Sequence, residues 1–213
     1  MMGLARPGLS RTDGLGFWKL CGSGTGEGFT PVPNTAVYAI LAVWQDRAQA
    51  RQQSRDAPVF ARFHGRAIES WTVFLTPVAA RGAWSGQSPF APADQAGDGP
   101  VAALTRASLR PRATLRFWRR VPDISAMIGT NDDVLFKIGI GELPWFHQVT
   151  FSIWPDTDAM ARFARADGPH ASAIRAVRSG DWFREELYAR FRVLGSDGTW
   201  QGHQPLAQIG DPL

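Results

Sequence analysis

The chain has 213 residues, 44% of them hydrophobic and 20% charged, with a formal net charge of +4, the composition of a soluble globular protein long enough to bury a substantial core. Its one cysteine, Cys21, excludes an internal disulfide and a cysteine-rich zinc site. No apolar run approaches the roughly 18 residues of a membrane span, and Met1 to Gly16 lacks the apolar core of a signal peptide, so the chain reads as cytoplasmic, with contact to a membrane surface left open.

In chain order, Gly16 to Gly22 and Thr35 to Trp44 read as strands flanking a glycine-rich segment, Gly22-Ser23-Gly24-Thr25-Gly26-Glu27-Gly28. No Gly-Lys-Ser/Thr follows and the next element is a strand, so this segment reads as a hairpin or loop and not as a phosphate cradle. A helical region from Asp46 to about Glu69 leads to a strand from Trp71 to Val78. Residues 91–100 are small, polar and rich in Pro and Gly, a natural linker. The organisation expected is an N-terminal half over 1–90, the linker 91–100, a C-terminal half over 101–206 and a tail over 207–213. Within the second half, Val101 to Ser108 reads as a strand and Pro111 to Met127 as a helix carrying Arg110, Arg112, Arg116, Arg119 and Arg120 around Phe117 and Trp118. Val134 to Ile140 and Phe146 to Trp154 form a hairpin, with Gly139, Gly141 and Pro144 supplying its turn and Glu142 placed on that turn. Asp156 caps a helix through Arg165, Gly168-Pro169 interrupts it, and a second helical piece runs from His170 to about Arg178. Trp182 to Glu186 reads as a short turn or helix before a last strand, Leu187 to Leu194.

The order βαββαβ in the second half is a ferredoxin-like unit. The first half repeats it from its second strand onward, lacking an opening strand and most of the first helix. The fold class expected is therefore α+β, two fused ferredoxin-like units in a dimeric α/β-barrel-like arrangement, the first unit incomplete and its sheet left with an uncovered edge. The repeat is visible in the residues. Trp84-Ser85-Gly86-Gln87-Ser88-Pro89 returns as Trp200-Gln201-Gly202-His203-Gln204-Pro205, and the strand ending at Trp44 is echoed by the one ending at Trp154. Counted from these tryptophans, Phe60 of the first copy stands where His170 stands in the second.

Chemistry-bearing groupings are few. The four histidines, His64, His147, His170 and His203, lack metal-ligand spacing, and no nucleophile elbow supports Ser-His-Asp catalysis. The arginine cluster has no nucleic-acid recognition motif beside it, so a solvated helix face or a dock for an acidic protein or anionic headgroups fits it better. His147 reads as a surface or cross-strand residue. On a helix, Ile174 and Val177 share the face of His170, while Arg175 and Arg178 flank it. From spacing alone two readings stand: a histidine capping a helix start, or an axial haem ligand whose arginine neighbours meet the propionates. The nine tryptophans suit a core, or a large apolar cavity for a long, flat ligand.

Longer stretches carry a resemblance. Phe17-Trp18-Lys19, Gly24-Thr25-Gly26, Gly28-Phe29-Thr30 and Leu41-Ala42-Val43-Trp44 resemble the spheroidene monooxygenase family of carotenoid-modifying enzymes. So do Ile124 to Gly129, Phe136 to Glu142, Gln148 to Pro155, Asp167 to His170, Ala173 to Arg178 and Trp182 to Phe191. The resemblance covers roughly residues 17 to 206, and Met1 to Gly16 resembles neither the strand nor the helix with which the family opens. It implies a haem-containing oxygenase, with b-type haem expected, that uses O2 and electrons from a reduced ferredoxin to set a keto group at C-2 of an acyclic carotenoid such as spheroidene. His170 would then be the axial iron ligand, with Arg175 and Arg178 at the cofactor, no nucleic acid as partner, and a peripheral membrane contact at an inner or photosynthetic membrane in keeping with so apolar a substrate. Two alternatives keep the architecture and change the role: a haem-dependent enzyme like the aldoxime dehydratases, and a non-catalytic barrel that binds an apolar ligand.

Overall fold

A computed structural model of the chain describes residues 2–26, 28–93, 99–119, 133–165 and 182–207. The elements run α1 (Met2–Leu9), β1 (Leu15–Gly24), β2 (Pro33–Trp44), α2 (Arg47–Asp56), α3 (Pro58–His64), β3 (Trp71–Gly82), β4 (Val101–Leu109), β5 (Phe136–Leu143), β6 (His147–Trp154), α4 (Thr157–Arg165) and β7 (Phe183–Gly198). A 3-10 turn, Pro111–Ala113, continues into helical residues 114–119.

The seven strands form one sheet in the order β2-β1-β5-β6-β4-β7-β3. Its second-half part, β5-β6-β4-β7, has the opening strand β4 between the third and the last, the antiparallel order of a ferredoxin-like unit. The first half supplies β1, β2 and β3 only. By the same order its opening strand would lie between β2 and β3, and these are the two edges of the sheet. The α+β class and the uncovered edge are as expected from sequence.

Chain compactness divides the protein into two units, Met1–Leu20 with Ile40–Leu75 and Leu194–Leu213, and Cys21–Ala39 with Thr76–Val193. In the first, α1 sets Ala5 and Leu9 against Leu20, Ala57, Val59 and Phe60. Asp46 caps α2 by accepting the Gln49 N–H at 2.8 Å, and Pro58 restarts the chain as α3, so the single helical region expected here is two helices. Phe60 packs on Trp44 with ring centroids 5.8 Å apart.

In the second unit, alternation along β4 puts Ala102, Leu104, Arg106 and Ser108 on one face. Their direct partners share that face: Ile153, Phe151, Val149 and His147 on β6, and Phe191, Ala189, Leu187 and Glu185 on β7. Trp154 lies on the opposite face, where Phe163 of α4 packs on it at 5.0 Å, and Asp156 accepts the Ala159 N–H at 2.7 Å. The glycine-rich segment is the β1–β2 connection, as expected. Its Gly28 lies at φ 89° directly against Gly139 of β5, where Ser23 Oγ also donates to the Gly139 carbonyl at 2.8 Å.

Three sequence expectations change. Glu142 lies inside β5, because the hairpin turns later, at Leu143–Phe146. Residues 183–186 are strand, since β7 spans sixteen residues and pairs with β4 from Phe183 onward. Residues 2–9 form a helix, for which the sequence reading offered no element. The expected linker core 94–98 and the helical piece from His170 fall outside the described residues.

Candidate functional site

The most chemically loaded place among the described residues is the middle of β4. Arg106 stands between Val149 and Leu187 on the inner apolar face and is 2% exposed. A permanent cation in such a place must be paired and hydrogen-bonded. Its Nη1 donates to Glu185 Oε2, and its Nη2 lies 3.7 Å from Glu142 Oε2. Its Cζ sits 5.7 Å from the ring centroid of the fully buried Trp84. Trp84 Nε1 donates to the same Glu142 oxygen at 2.6 Å, and His147 Nδ1 approaches that oxygen to 3.7 Å. The buried Nε of Arg106 has no hydrogen-bond acceptor among the described residues.

Glu185 also grips a turn. Ser85 and Gly86 have φ of 54° and 74°, the signature of a two-residue type I′ turn between Trp84 and Gln87. Their outward N–H groups donate to Glu185 at 2.9 and 2.7 Å. Partial burial pushes this carboxyl up, but the Gly86 and Ser85 N–H groups and the Arg106 charge outweigh it and hold Glu185 below the usual carboxylate range.

The first compact unit contains the same device. Gln201 and Gly202 have φ of 53° and 76°, and their N–H groups donate to Glu69 at 2.6 and 2.7 Å, with Thr199 Oγ1 donating at 2.7 Å. The Thr199 hydroxyl and the Gly202 N–H are the main causes holding Glu69 below its ordinary range. One sequence offset relates Glu69 to Glu185 and Trp84 to Trp200. Each glutamate grips the turn of the other sequence half, the reciprocal pattern of a two-fold interface. Gly82 and Gly198 obey the same exchange: at φ 93° and 86° they lie against the carbonyls of Glu186 and Ser70. The tryptophan repeat seen in the sequence is this pair of turns.

The expected cofactor residues His170, Arg175 and Arg178 all lie outside the described residues. Of the other histidines, His64 has both ring nitrogens engaged, Nδ1 with Ser70 Oγ at 3.2 Å and Nε2 with the Ser54 carbonyl at 3.0 Å. His203 closes the exposed type I′ turn. His147 is a half-buried cross-strand partner of Ser108, near the position its sequence context suggested. Among the described residues no group of His, Cys, Asp and Glu is arranged to hold a metal. Sequence reasoning missed Arg106 and Glu185. The signal for Arg106 was there, a lone charge in phase with Ala102 and Leu104 in an otherwise uncharged strand.

No family model matches the chain. It is 52% identical over 207 residues to the spheroidene monooxygenase of Rhodobacter capsulatus, a match covering 96% of this chain and 86% of that protein. The chain belongs to the spheroidene monooxygenase family. The enzyme of that name from Cereibacter sphaeroides is 54% identical over 194 residues, covering 90% of this chain and 60% of its own length. A match covering 96% of this chain must begin upstream of Phe17, so the family likeness extends into the opening residues that were expected to lie outside it. Among solved structures, an aldoxime dehydratase in complex with butyraldoxime covers 98% of this chain and 79% of its own, with a TM-score of 0.55 at 9% identity. That likeness concerns fold alone, and it agrees with the dimeric α/β-barrel-like class.

Proposed function

We propose that this protein is a haem-dependent monooxygenase that introduces a keto group at C-2 of acyclic carotenoids, converting spheroidene to its 2-keto derivative. The observation that carries the reading is the identity to the R. capsulatus enzyme along nearly the whole chain. Two successive oxygen insertions at one carbon, each consuming one O2, two electrons and two protons and releasing one water, give a geminal diol that loses water to the ketone. Haem, when bound, supplies the oxygen activation. Reduced ferredoxin supplies the electrons.

The haem part of the proposal rests on the sequence setting of His170, Arg175 and Arg178, inside the stretch that resembles the family. A neutral His170 imidazole would ligate iron through one nitrogen, and a hydrogen bond from the other would fix its tautomer. Arg175 and Arg178 would pair with the propionates. The Arg106 network has a different part in this reading. It pins β4, β5, β7 and the Trp84 turn together on the inner apolar face of the sheet, and so keeps the Arg106 charge paired there.

A second reading, an aldoxime-dehydratase-like activity, has only the fold likeness in its favour. Co-expression with a spheroidene-producing pathway, followed by pigment analysis, separates the two. The 2-keto carotenoid should accumulate, and its absence from cells holding the folded, haem-loaded protein would overturn the reading.

A further inference from the structure

We infer that the tip of the β5–β6 hairpin and the adjoining helical residues 114–119 form a face that docks on an anionic lipid bilayer. Three large apolar side chains are exposed there, Leu115 (68%), Leu143 (49%) and Trp145 (44%). Single exposed apolar residues are ordinary, whereas a set gathered at a hairpin tip and the helix packed on it points to a binding surface.

The set is connected and held. Phe146 N–H donates to the Leu143 carbonyl at 3.3 Å, closing the hairpin turn. Trp145 lies in that turn at φ 73°, a left-handed position that this kind of turn ordinarily gives to glycine and that is unfavourable for so bulky a residue. Trp118 Nε1 donates to the Trp145 carbonyl at 3.1 Å, and the two indole rings pack edge to face at 6.2 Å. Trp118 is backed in turn by Phe117, which packs against Phe183 at 6.4 Å. The strained, exposed Trp145 is thus locked in place, not loosely disordered into solvent.

The described charges on its helical side are arginines. Arg112, Arg116 and Arg119 are exposed on the same helical stretch as Leu115, and residues 109–119 contain no acid. Within residues 136–154 the one acid is Glu142, whose carboxylate turns inward to Trp84 and Arg106. A hairpin tip of exposed Trp and Leu beside a stretch of exposed arginines matches the layered chemistry of a bilayer surface. Indole rings and aliphatic chains sit at headgroup depth while guanidinium groups reach lipid phosphates. An acidic protein partner would pair the arginines but leave the exposed apolar tip without its match. The inference stands on this surface alone and goes beyond the oxygenase reading, which it complements by bringing the enzyme to where an apolar polyene dissolves.

The test is partitioning of the purified full chain onto vesicles of phosphatidylcholine alone or mixed with phosphatidylglycerol. Expected is binding to the mixed vesicles that falls with added salt. The Arg116→Gln, Arg119→Gln double variant should weaken it about 25-fold, roughly fivefold for each arginine near an anionic surface. Trp145→Gly, which suits the left-handed turn and so keeps the fold, should weaken it several-fold. Arg62→Gln with Arg66→Gln, exposed arginines on and just after α3, should leave it unchanged. Absence of vesicle binding by the parent, or equal binding by all variants, overturns the inference. Unchanged vesicle binding with loss of binding to a plant-type ferredoxin would assign the face to a protein partner and overturn it too. The readout needs neither bound haem nor turnover, so its failure is separable from a failure of the oxygenase reading.

Discussion

Arg106 at the middle of β4 places its guanidinium on the carboxylate of Glu185 in β7, so that one buried cation ties together two neighbouring strands and the turn that Glu185 grips. Removing one member of a buried pair leaves the others uncompensated. Arg106→Met should lower the unfolding free energy by about 3–5 kcal/mol, measured by urea denaturation. Combining it with Glu185→Gln should recover part of that loss. Additive losses would mean that the two side chains act independently.

Stability should also depend on pH through Glu185. Its folded carboxyl is held below the unfolded value of about 4.3, so its stabilisation is fully present above that value and is lost as pH falls through the lower, folded pKa. Thermal melts from neutral pH downward should show a shallower acid loss in Glu185→Gln than in the parent. An unchanged slope would place the acid sensitivity elsewhere, with Glu69 the next group to replace.

The contact between Gly28 and Gly139 leaves no room for a side chain. A Cβ on Gly139 would lie 2.5 Å from the Gly28 carbonyl oxygen, whereas a Cβ on Gly22 would meet nothing within 4 Å. Gly139→Ala should therefore destabilise by about 1–3 kcal/mol, and Gly22→Ala should stay close to the parent. Equal effects would show that the β1–β2 connection does not pack on β5 as described.

Much of this was legible in local pattern. Period-two alternation marks β5, the turn residues after it mark the hairpin to β6, and Asp156 marks the start of α4, because these signals lie within a few residues of one another. The recurrence of Trp84-Ser85-Gly86 in Trp200-Gln201-Gly202 disclosed the duplication. What it could not disclose is that Glu69 and Glu185 hold these turns crosswise, since that pairing joins residues 99 to 133 positions apart. Arg106 was hidden by an arginine-rich composition that makes any one arginine look like surface. α1 was obscured because Pro7 and two glycines lower its propensity, and burial of Ala5 and Leu9 overrides them.

His170→Ala should abolish the Soret absorption, or leave a weak band that added imidazole restores, while far-UV circular dichroism stays largely unchanged. His147→Ala and His203→Ala should keep haem content near the parent level. A His170→Ala protein with an unaltered haem spectrum would move the ligand to another residue, and His147, half-buried beside Glu142, would be the first to replace.

The most direct measurement is turnover by the purified, haem-loaded protein given spheroidene, O2 and reduced ferredoxin. The 2-keto carotenoid should form, and its formation should stop when either oxygen or ferredoxin is withheld. Ketone formation that continues under strict anaerobiosis, or no conversion by a protein with full haem content, would contradict the monooxygenase assignment.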